Sequence, residues 1–287
     1  MGEYLGFVKT NAADEAAVNF QTLSDEWRAA NAHILQLERK EAGIADNPVI
    51  DPVPDELKAL ANEVQISALF KQSFQVVPVT IGMIDLDRLV VFQKHINTTY
   101  AAELKARLGT TPTEKDIFAL CLPLNHNEPP LRRMRVGPNS FVFSSPSNDI
   151  RFLESIDFDA SRISGYDPVG PGSGVIGIVV GFGSNYLNAV HANNRLVLNN
   201  GSHRAYALRD LGIKRVPCII QNVTLPEELA VVSAPIAANP ALYLGHPRPS
   251  MLKDYFDPQL RKLVPVWRKS RQVKVEFGID TLDVPGV

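Results

Sequence analysis

The sequence predicts an α+β protein: a mixed sheet with helices, an N-terminal helical hairpin and a loop-rich insertion. Short runs rich in β-branched and apolar residues recur from about residue 75 onward, as is typical of strands. The segments between these runs carry residues that start and stop helices. Before residue 75, apolar residues repeat at spacings of four and three, which places them on one face of a helix.

Residues 1–72 are predicted to be a helical extension. A first helix over 12–42 has an apolar stripe, and we expect this stripe to be buried and Trp27 largely covered. A break rich in glycine and proline follows, and a second helix is predicted at about 55–71. Two such helices favour a hairpin docked on the main domain, although a dimer contact, and hence a homodimer, stays open. The stripe consists of Ala16, Phe20, Leu23, Trp27, Ala30, Ile34 and Leu37.

The main domain is predicted over residues 73–238. A strand leads to a turn at Asp85–Asp87, in which the two carboxylates cap the backbone. Residues 97–109 predict a helix that is capped by Asn97 or Thr98 and ends at Gly109. The apolar run "DIFALCLPL" predicts a buried strand, although the preceding Thr113 and Glu114 also fit a helix start.

An insertion at about 123–174 is predicted to be rich in loops. It contains Arg132, Arg133 and Arg135 and one strand, "SFVFSS". Regular structure returns after it as the strand "VIGIVVGF", the hairpin "NYLNAVHANNRLVLNN", a helix from Ser202 to Gly212, the strand "RVPCIIQNV" and the helix "TLPEELAVVSA". Residues 239–287 form a C-terminal extension that is first proline-rich and then basic.

Composition excludes several classes of protein. The 287 residues are 45% hydrophobic and 21% charged, with a formal net charge of −2, so bulk charge does not indicate a nucleic-acid binder. Cys121 and Cys218 lie in apolar runs and are expected to be small buried hydrophobes in a reducing compartment. No secretory signal or membrane-spanning run is evident, so a cytoplasmic protein without a membrane partner is expected. The six histidines lack metal-ligand spacing, so no metal site is expected.

The turn "NNGSHR", at the start of the helix after the hairpin, is the best candidate site. Helix N-termini leave N–H groups without partners and carry partial positive charge. Gly201 allows either a tight turn or the close approach of an anion, and Ser202 can cap the helix or donate to a phosphate oxygen. His203 and Arg204 add side-chain donors, so the turn predicts a phosphate-binding loop. Taken singly, these residues also fit a capped helix with exposed side chains.

The pattern as a whole resembles the ParB/sulfiredoxin superfamily. The matching residues are Gly201, Ser202, His203 and Arg204, followed by Ala207, Leu211-Gly212 and Val216-Pro217. The resemblance covers about 75–122 and 175–235. It implies a compact α+β fold that binds a nucleoside di- or triphosphate (ATP, ADP or CTP), with a role for Mg²⁺ left open.

The resemblance also implies roles for individual residues. The turn from Asn200 to Arg204 would hold the phosphates, and the loop containing Gln93, Lys94 and His95 would face the same pocket. A solvated loop is the alternative for these three residues. His203 and His95 are the candidate catalytic groups, because histidine titrates near neutral pH.

Three departures from the family narrow the function. Ser202 stands where sulfiredoxin has its cysteine, no carboxylate base is present among Gln93, Lys94 and His95, and no helix-turn-helix pattern follows residue 235. An NTP-dependent phosphotransferase with a small-molecule phosphate acceptor, or an NTP hydrolase, is therefore the leading hypothesis. A partition-like DNA-associated module or a nuclease is the alternative. It is suggested by the basic tail, where Arg261, Lys262, Arg268, Lys269, Arg271 and Lys274 surround Trp267, although a solvated face explains the tail equally.

Overall fold

The computed structural model describes residues 1–13, 18–125, 129–147, 149–159, 170, 174–267 and 269–283. The chain divides into two compact units. The first unit comprises the described residues of Met1–Asn125 and Ser184–Trp267, and the second those of His126–Gly183 and Arg268–Val287. The predicted α+β class is confirmed, since helices and several sheets are present.

The helices and strands have the following bounds. The strands are β1 (Asp51–Pro52), β2 (Val79–Asp85), β3 (Val90–Val91), β4 (Arg132–Gly137), β5 (Ser140–Ser144), β6 (Ile150–Phe158), β7 (Val175–Phe182), β8 (Asn188–Ala192), β9 (Arg195–Asn200), β10 (Arg215–Asn222) and β11 (Gln272–Glu276). The helices are α1 (Gly2–Asn11), α2 (Phe20–Glu41), α3 (Lys58–Ile66), α4 (Ala68–Ser73), α5 (Thr98–Leu108), α6 (Glu114–Cys121), α7 (Ser202–Asp210), α8 (Pro226–Val232) and α9 (Ala234–Ala238).

A six-stranded mixed sheet forms the centre of the first unit, in the order β1-β2-β10-β8-β9-β3. β10 pairs antiparallel with β2 and parallel with β8, and β9 pairs parallel with β3. The predicted hairpin is confirmed as β8 and β9, which turn at Asn193 and Asn194 with φ of 46° and 61°. Two asparagines with positive φ fit the twist of a two-residue hairpin turn.

Two helices next to this sheet position the candidate site. Ala205 and Leu208 of α7 lie in the main core with the strands, while Ala207 packs against Ala101 and Leu104 of α5. α7 is therefore covered by the sheet on one side and by α5 on another. The predicted bounds of both helices are confirmed to within two residues, with Asn97 capping α5 and Gly212 at φ 83° just after α7.

The strand prediction for "DIFALCLPL" is wrong, because the segment is the helix α6. Thr113 accepts from the Asp116 N–H while the Asp116 carboxylate accepts from the Thr113 N–H, which is a capping box. Phe118, Cys121 and Leu122 are buried at helical spacing. The helix start that Thr113 and Glu114 suggested is the correct alternative.

The predicted N-terminal extension is wrong in detail. The helix predicted over 12–42 corresponds to α2, which begins only at Phe20, and α1 precedes it without having been predicted. Ala16 of the predicted stripe lies outside the described residues. Leu23 is 4% exposed but Phe20 is 46% exposed, whereas Trp27 is largely covered, as expected, although it is not fully buried. Of the stripe residues that the structure describes, Leu23 is buried, Phe20 is exposed and the others are partly covered.

The helices of the predicted hairpin are held by other parts of the first unit. Glu26, His33 and Glu41 of α2 pair with Lys262, Asp257 and Arg248 of the C-terminal segment. α3, by contrast, contributes Ala61 and Val64 to the main core. These contacts, rather than a pairing of α2 with α3, fix both helices.

The C-terminal segment also completes the sheet edge. The Val91 N–H donates to the Ser250 carbonyl and the Leu252 N–H to the Leu89 carbonyl, each at 2.9 Å. Met251 and Leu252 are fully buried. The segment from 239 to 267 is thus an integral part of the first unit rather than an extension of it.

The second unit contains more strand than the sequence predicts. β4, β5 and β11 form an antiparallel sheet in the order β11-β5-β4, and β6 pairs with β7 in a two-stranded ribbon. β7 was expected in the main sheet and instead belongs to this unit, because β6 supplies its partner. Within the described ranges, no helix combines the length and apolar character needed to cross a bilayer.

Candidate functional site

The turn before α7 places Gly201 in the left-handed region. Its φ is 100° and its ψ is 21°, a conformation that glycine adopts without strain. A Cβ built on Gly201 would lie 3.2 Å from the Leu187 Cγ and 3.2 Å from an Arg204 guanidinium nitrogen. The missing side chain therefore faces the protein interior. A glycine here could serve a tight turn or the close approach of an anion, and the structure supports the tight turn.

Arg204 is buried, with 6% of its surface exposed. Its Nη1 donates to the carbonyls of Leu120 and Cys121, at 3.3 Å each, and to that of Asn185. Leu120 and Cys121 end α6, where a positive charge favourably meets the last carbonyls of a helix. The expectation of an exposed first-turn arginine is wrong, because α7 is covered on more than one side. Arg204 ties the end of α6 to the chain entering β8.

His203 links the start of α7 to the start of α5. Its Nε2 accepts a hydrogen bond from the Asn97 N–H at 3.0 Å, and its ring meets Tyr100 edge-on with centroids 5.5 Å apart. An accepting Nε2 assigns the proton of the neutral ring to Nδ1. Burial lowers the pKa of His203, and the positive charges of His95 and Arg204 lower it further. The imidazole is therefore neutral at pH 7.

The loop from 92 to 97 contacts α1. His95 stacks on Phe7 with ring centroids 4.8 Å apart, and Lys94 forms an ion pair with Glu3. Gln93 is used within the fold, since its carbonyl accepts from the Tyr255 hydroxyl and its side-chain amide donates to the His95 carbonyl at 2.9 Å. The backbone thus brings His95 and Asn97 towards His203, while Lys94 and His95 stay exposed.

The remaining predicted residues border the same turn. Asn200 is exposed, and its side-chain amide donates to the Tyr186 carbonyl at 2.9 Å. Ser202 is 9% exposed, so its hydroxyl offers little surface to a ligand. α7 has no side-chain cap, and neither α5 nor α7 has an acidic residue in its first turn. Two helix N-termini free of carboxylates therefore adjoin at one place on the first unit.

No protein-family model, curated protein or solved structure matches the chain. The assignment of residues to a function therefore depends on the geometry of the site and on the motif itself.

Other reactive groups include the two buried cysteines, of which Cys121 lies next to Arg204. Burial raises the pKa of the Cys121 thiol to about 12 and also raises that of Cys218, which fits their predicted role as buried hydrophobes. A cleft of about 300 Å³ opens beside Leu57, Met83, Ile117 and Arg215, and none of the predicted site residues lines it. Among the residues that the structure describes, no group of three or more His, Cys, Asp or Glu side chains is arranged to hold a metal ion.

Asn97 and Tyr100 are the site residues that sequence reasoning missed. Asn97 was identified only as a helix cap, and its N–H contacts a histidine 106 positions away. Phe7 and Glu3 were missed as well, since α1 was not predicted. Nothing in the sequence around Asn97 and His95 predicts these contacts.

Proposed function

We propose that the first unit binds a nucleoside di- or triphosphate at the adjoining N-termini of α5 and α7. The observation that carries the proposal is the hydrogen bond from the Asn97 N–H to the His203 Nε2, at 3.0 Å, which holds the two helix starts together. The partial positive charges of two macrodipoles add where the termini meet. With no acidic residue in either first turn, this place favours a bound anion.

The groups around the two termini suit different parts of such a ligand. Backbone N–H groups at Ser202 and His203, and at Thr98 and Thr99 in α5, would donate to the phosphates. The Nδ1–H of His203 adds a neutral donor, and exposed Lys94 would add a positive charge by exchanging its partner Glu3 for a phosphate. The half-exposed ring of Tyr100 and the exposed ring of His95 offer surfaces on which a base could stack.

Arg204 has a supporting role in this proposal. Its guanidinium donates to backbone carbonyls, so it positions the turn and adds a positive charge at a distance. In this proposal it does not contact the phosphate directly. This differs from the direct counter-charge role that the motif suggests.

The ParB/sulfiredoxin resemblance supports the same ligand class and extends the proposal to chemistry. Transfer of a phosphoryl group to a small-molecule acceptor or to water is the reaction that the motif favours. His95 is the better candidate for moving a proton, because its ring is exposed whereas the Nε2 of His203 is occupied by Asn97. ATP, ADP and CTP are the nucleotides to test, with and without Mg²⁺.

A charge placed in the first turn of α5 tests the site. Thr99 is exposed, and a glutamate there would repel phosphate while favouring the helix through its dipole. Isothermal titration of the three nucleotides should show that Thr99→Glu weakens binding about tenfold, the effect of one like charge at short range. Thr111→Glu adds the same charge at an exposed position beyond the other end of α5 and should leave affinity unchanged.

Two results would contradict the proposal. The first is the absence of heat with every nucleotide at about 1 mM, where even weak binding is measurable. The second is equal weakening by Thr99→Glu and Thr111→Glu, which would locate binding elsewhere. Thermal unfolding of both variants checks that neither substitution disturbs the fold.

A further inference from the structure

The small sheet of the second unit brings together two basic segments that lie far apart in the sequence. β4 contributes Arg132, Arg133 and Arg135, and β11 contributes Lys274. β5, which lies between them, has no charged residue, and the one acid of the three strands, Glu276, pairs with Lys274 at 2.5 Å. The sheet is therefore basic although the whole chain has a net charge of −2. Strand register divides its basic residues between the two faces, with Arg133 and Arg135 on one and Arg132 and Lys274 on the other.

Strand register places arginines and aromatic rings on one face. Arg133 lies opposite Phe143, and Arg135 lies opposite Phe141. Residues two apart on a strand point to the same side, so all four side chains share a face. The Arg135 guanidinium lies 5.8 Å from the centroid of the Phe141 ring, which shows that this pair is in contact.

This face is accessible. Arg133 and Arg135 are exposed, and neither phenylalanine is buried. The opposite face carries Arg132, Met134 and, on β11, Lys274, and it buries Val142, which is 7% exposed. Among the described residues, Arg133 forms no ion pair, whereas Arg135 donates to the carbonyls of Gly137 and Pro138.

We propose that this face binds single-stranded nucleic acid. Bases stack on aromatic rings whatever their sequence, and arginine contacts both phosphates and base planes. Phe141 and Phe143 are two residues apart, which separates them by roughly 7 Å along the strand, close to the step between nucleotides of an extended single strand. A duplex keeps its base faces stacked inside the helix and could use only the arginines.

Binding of fluorescein-labelled dT and U oligomers of about 15 nucleotides, followed by fluorescence anisotropy on the full chain, tests the proposal. The two oligomers distinguish DNA from RNA as the preferred strand. Arg133→Gln should weaken binding about tenfold and reduce the slope of log affinity against log salt by about 0.7, the value for one lost phosphate contact. Phe143→Leu keeps an apolar side chain but removes the stacking ring, and it should weaken binding by roughly tenfold as well.

The other face of the same strands supplies matched controls. Arg132→Gln removes the same charge from the same strand, and Met134→Leu changes an apolar residue beside it; both should leave affinity within about twofold if the aromatic face is the site. Circular dichroism and thermal unfolding confirm the fold of each variant. Because Arg133 is exposed, Arg133→Gln keeps the test decisive even if Phe143→Leu proves unstable.

Three results overturn the proposal. One is the absence of an anisotropy change at about 100 µM protein in low salt, where non-specific binders already respond. Another is equal weakening by Arg132→Gln and Arg133→Gln with no effect of Phe143→Leu, since bulk charge alone would then explain binding. The third is displacement of the oligomer by polyglutamate or a duplex as readily as by unlabelled dT. Thr99→Glu, in the first unit, should leave oligomer binding unchanged, so this test is independent of the nucleotide proposal.

Discussion

Neighbouring side chains in the first turn of α7 have different surroundings. Arg204 is turned into the protein and His203 faces the start of α5, although both look like exposed donors in the sequence. Gly201 is confined between Leu187 and Arg204, so the glycine and the arginine are parts of one packed turn. The residues of the motif therefore mainly stabilise the turn. The ligand site that we propose consists of backbone groups that this turn holds in place.

Replacing Arg204 by alanine should destabilise the first unit by at least about 3 kcal/mol. The substitution leaves the carbonyls of Leu120, Cys121 and Asn185 without this donor, and losing the hydrogen bonds of a buried, charged side chain is costly. Urea denaturation measures the change. Arg107→Ala, at an exposed position of α5, is the control and should change stability by less than about 0.5 kcal/mol. A loss below about 1 kcal/mol for Arg204→Ala would show that these carbonyls are satisfied without the guanidinium.

Stability should fall as the pH is lowered through the ordinary histidine range, in part because of His203. Its pKa is lowered in the folded chain, so near pH 6 the unfolded chain binds more protons than the folded one. The contribution of His203 to stability is therefore complete above about pH 6.5 and is lost as the pH falls below that value. His203→Gln keeps an acceptor for the Asn97 N–H but does not titrate. Its stability should depend less on pH between about pH 5 and 7, and parallel curves for the two proteins would contradict this.

The helices and strands that the sequence predicts correctly are those whose own turn and cap residues determine their structure. The β8–β9 hairpin, α5 and α7 are each bounded by an asparagine or glycine at a turn or helix end, and the sequence located all three. α6 was misread because its short apolar run fits a buried strand as well as a helix, and only the capping box distinguishes them. β4 was missed because three arginines in six residues suggest a loop; its strand pairing with β5 was not visible locally.

α2 offers a test at this scale, since leucines on one helix differ in burial. Leu23 is 4% exposed and Leu35 is 49% exposed. Leu23→Ala should cost about 2–5 kcal/mol by losing buried surface and leaving a cavity, whereas Leu35→Ala should cost under about 1 kcal/mol. Thermal or urea unfolding compares the two. Equal losses would mean that both leucines are covered to the same degree in solution.

The sequence predicts only part of the candidate site. The position of Gly201 and His203 at a helix start followed from the motif, because turn and cap residues act locally. The pairing of His203 with Asn97 and the stack of His95 on Phe7 join segments that are far apart in the chain, and no local pattern encodes them. The burial of Arg204 escaped notice for the same reason, since its partners come from α6 and from the loop before β8.

At the scale of the whole molecule, the chain leaves the first unit after Asn125 and returns at Ser184. The two crossing points lie close together in the first unit, because the Leu187 N–H donates to the Cys121 carbonyl at 2.8 Å and Arg204 binds carbonyls on both sides of the gap. The sequence between them forms its own strands in the second unit. The arrangement is that of one unit inserted into another, with the C-terminal β11 returning to the inserted one.

Removing the second unit should therefore leave a folded first unit. We expect a chain in which a short glycine-serine linker replaces 126–183, and which ends after Trp267, to keep mixed helix and strand circular dichroism and one cooperative urea transition. The physical reason is that the six-stranded sheet and its core clusters lie wholly in 1–125 and 184–267. Such a chain should bind nucleotide as the full chain does and lose binding to the dT oligomer. A non-cooperative transition would show that the first unit depends on the second for stability; retained oligomer binding would instead move the nucleic-acid surface to the first unit.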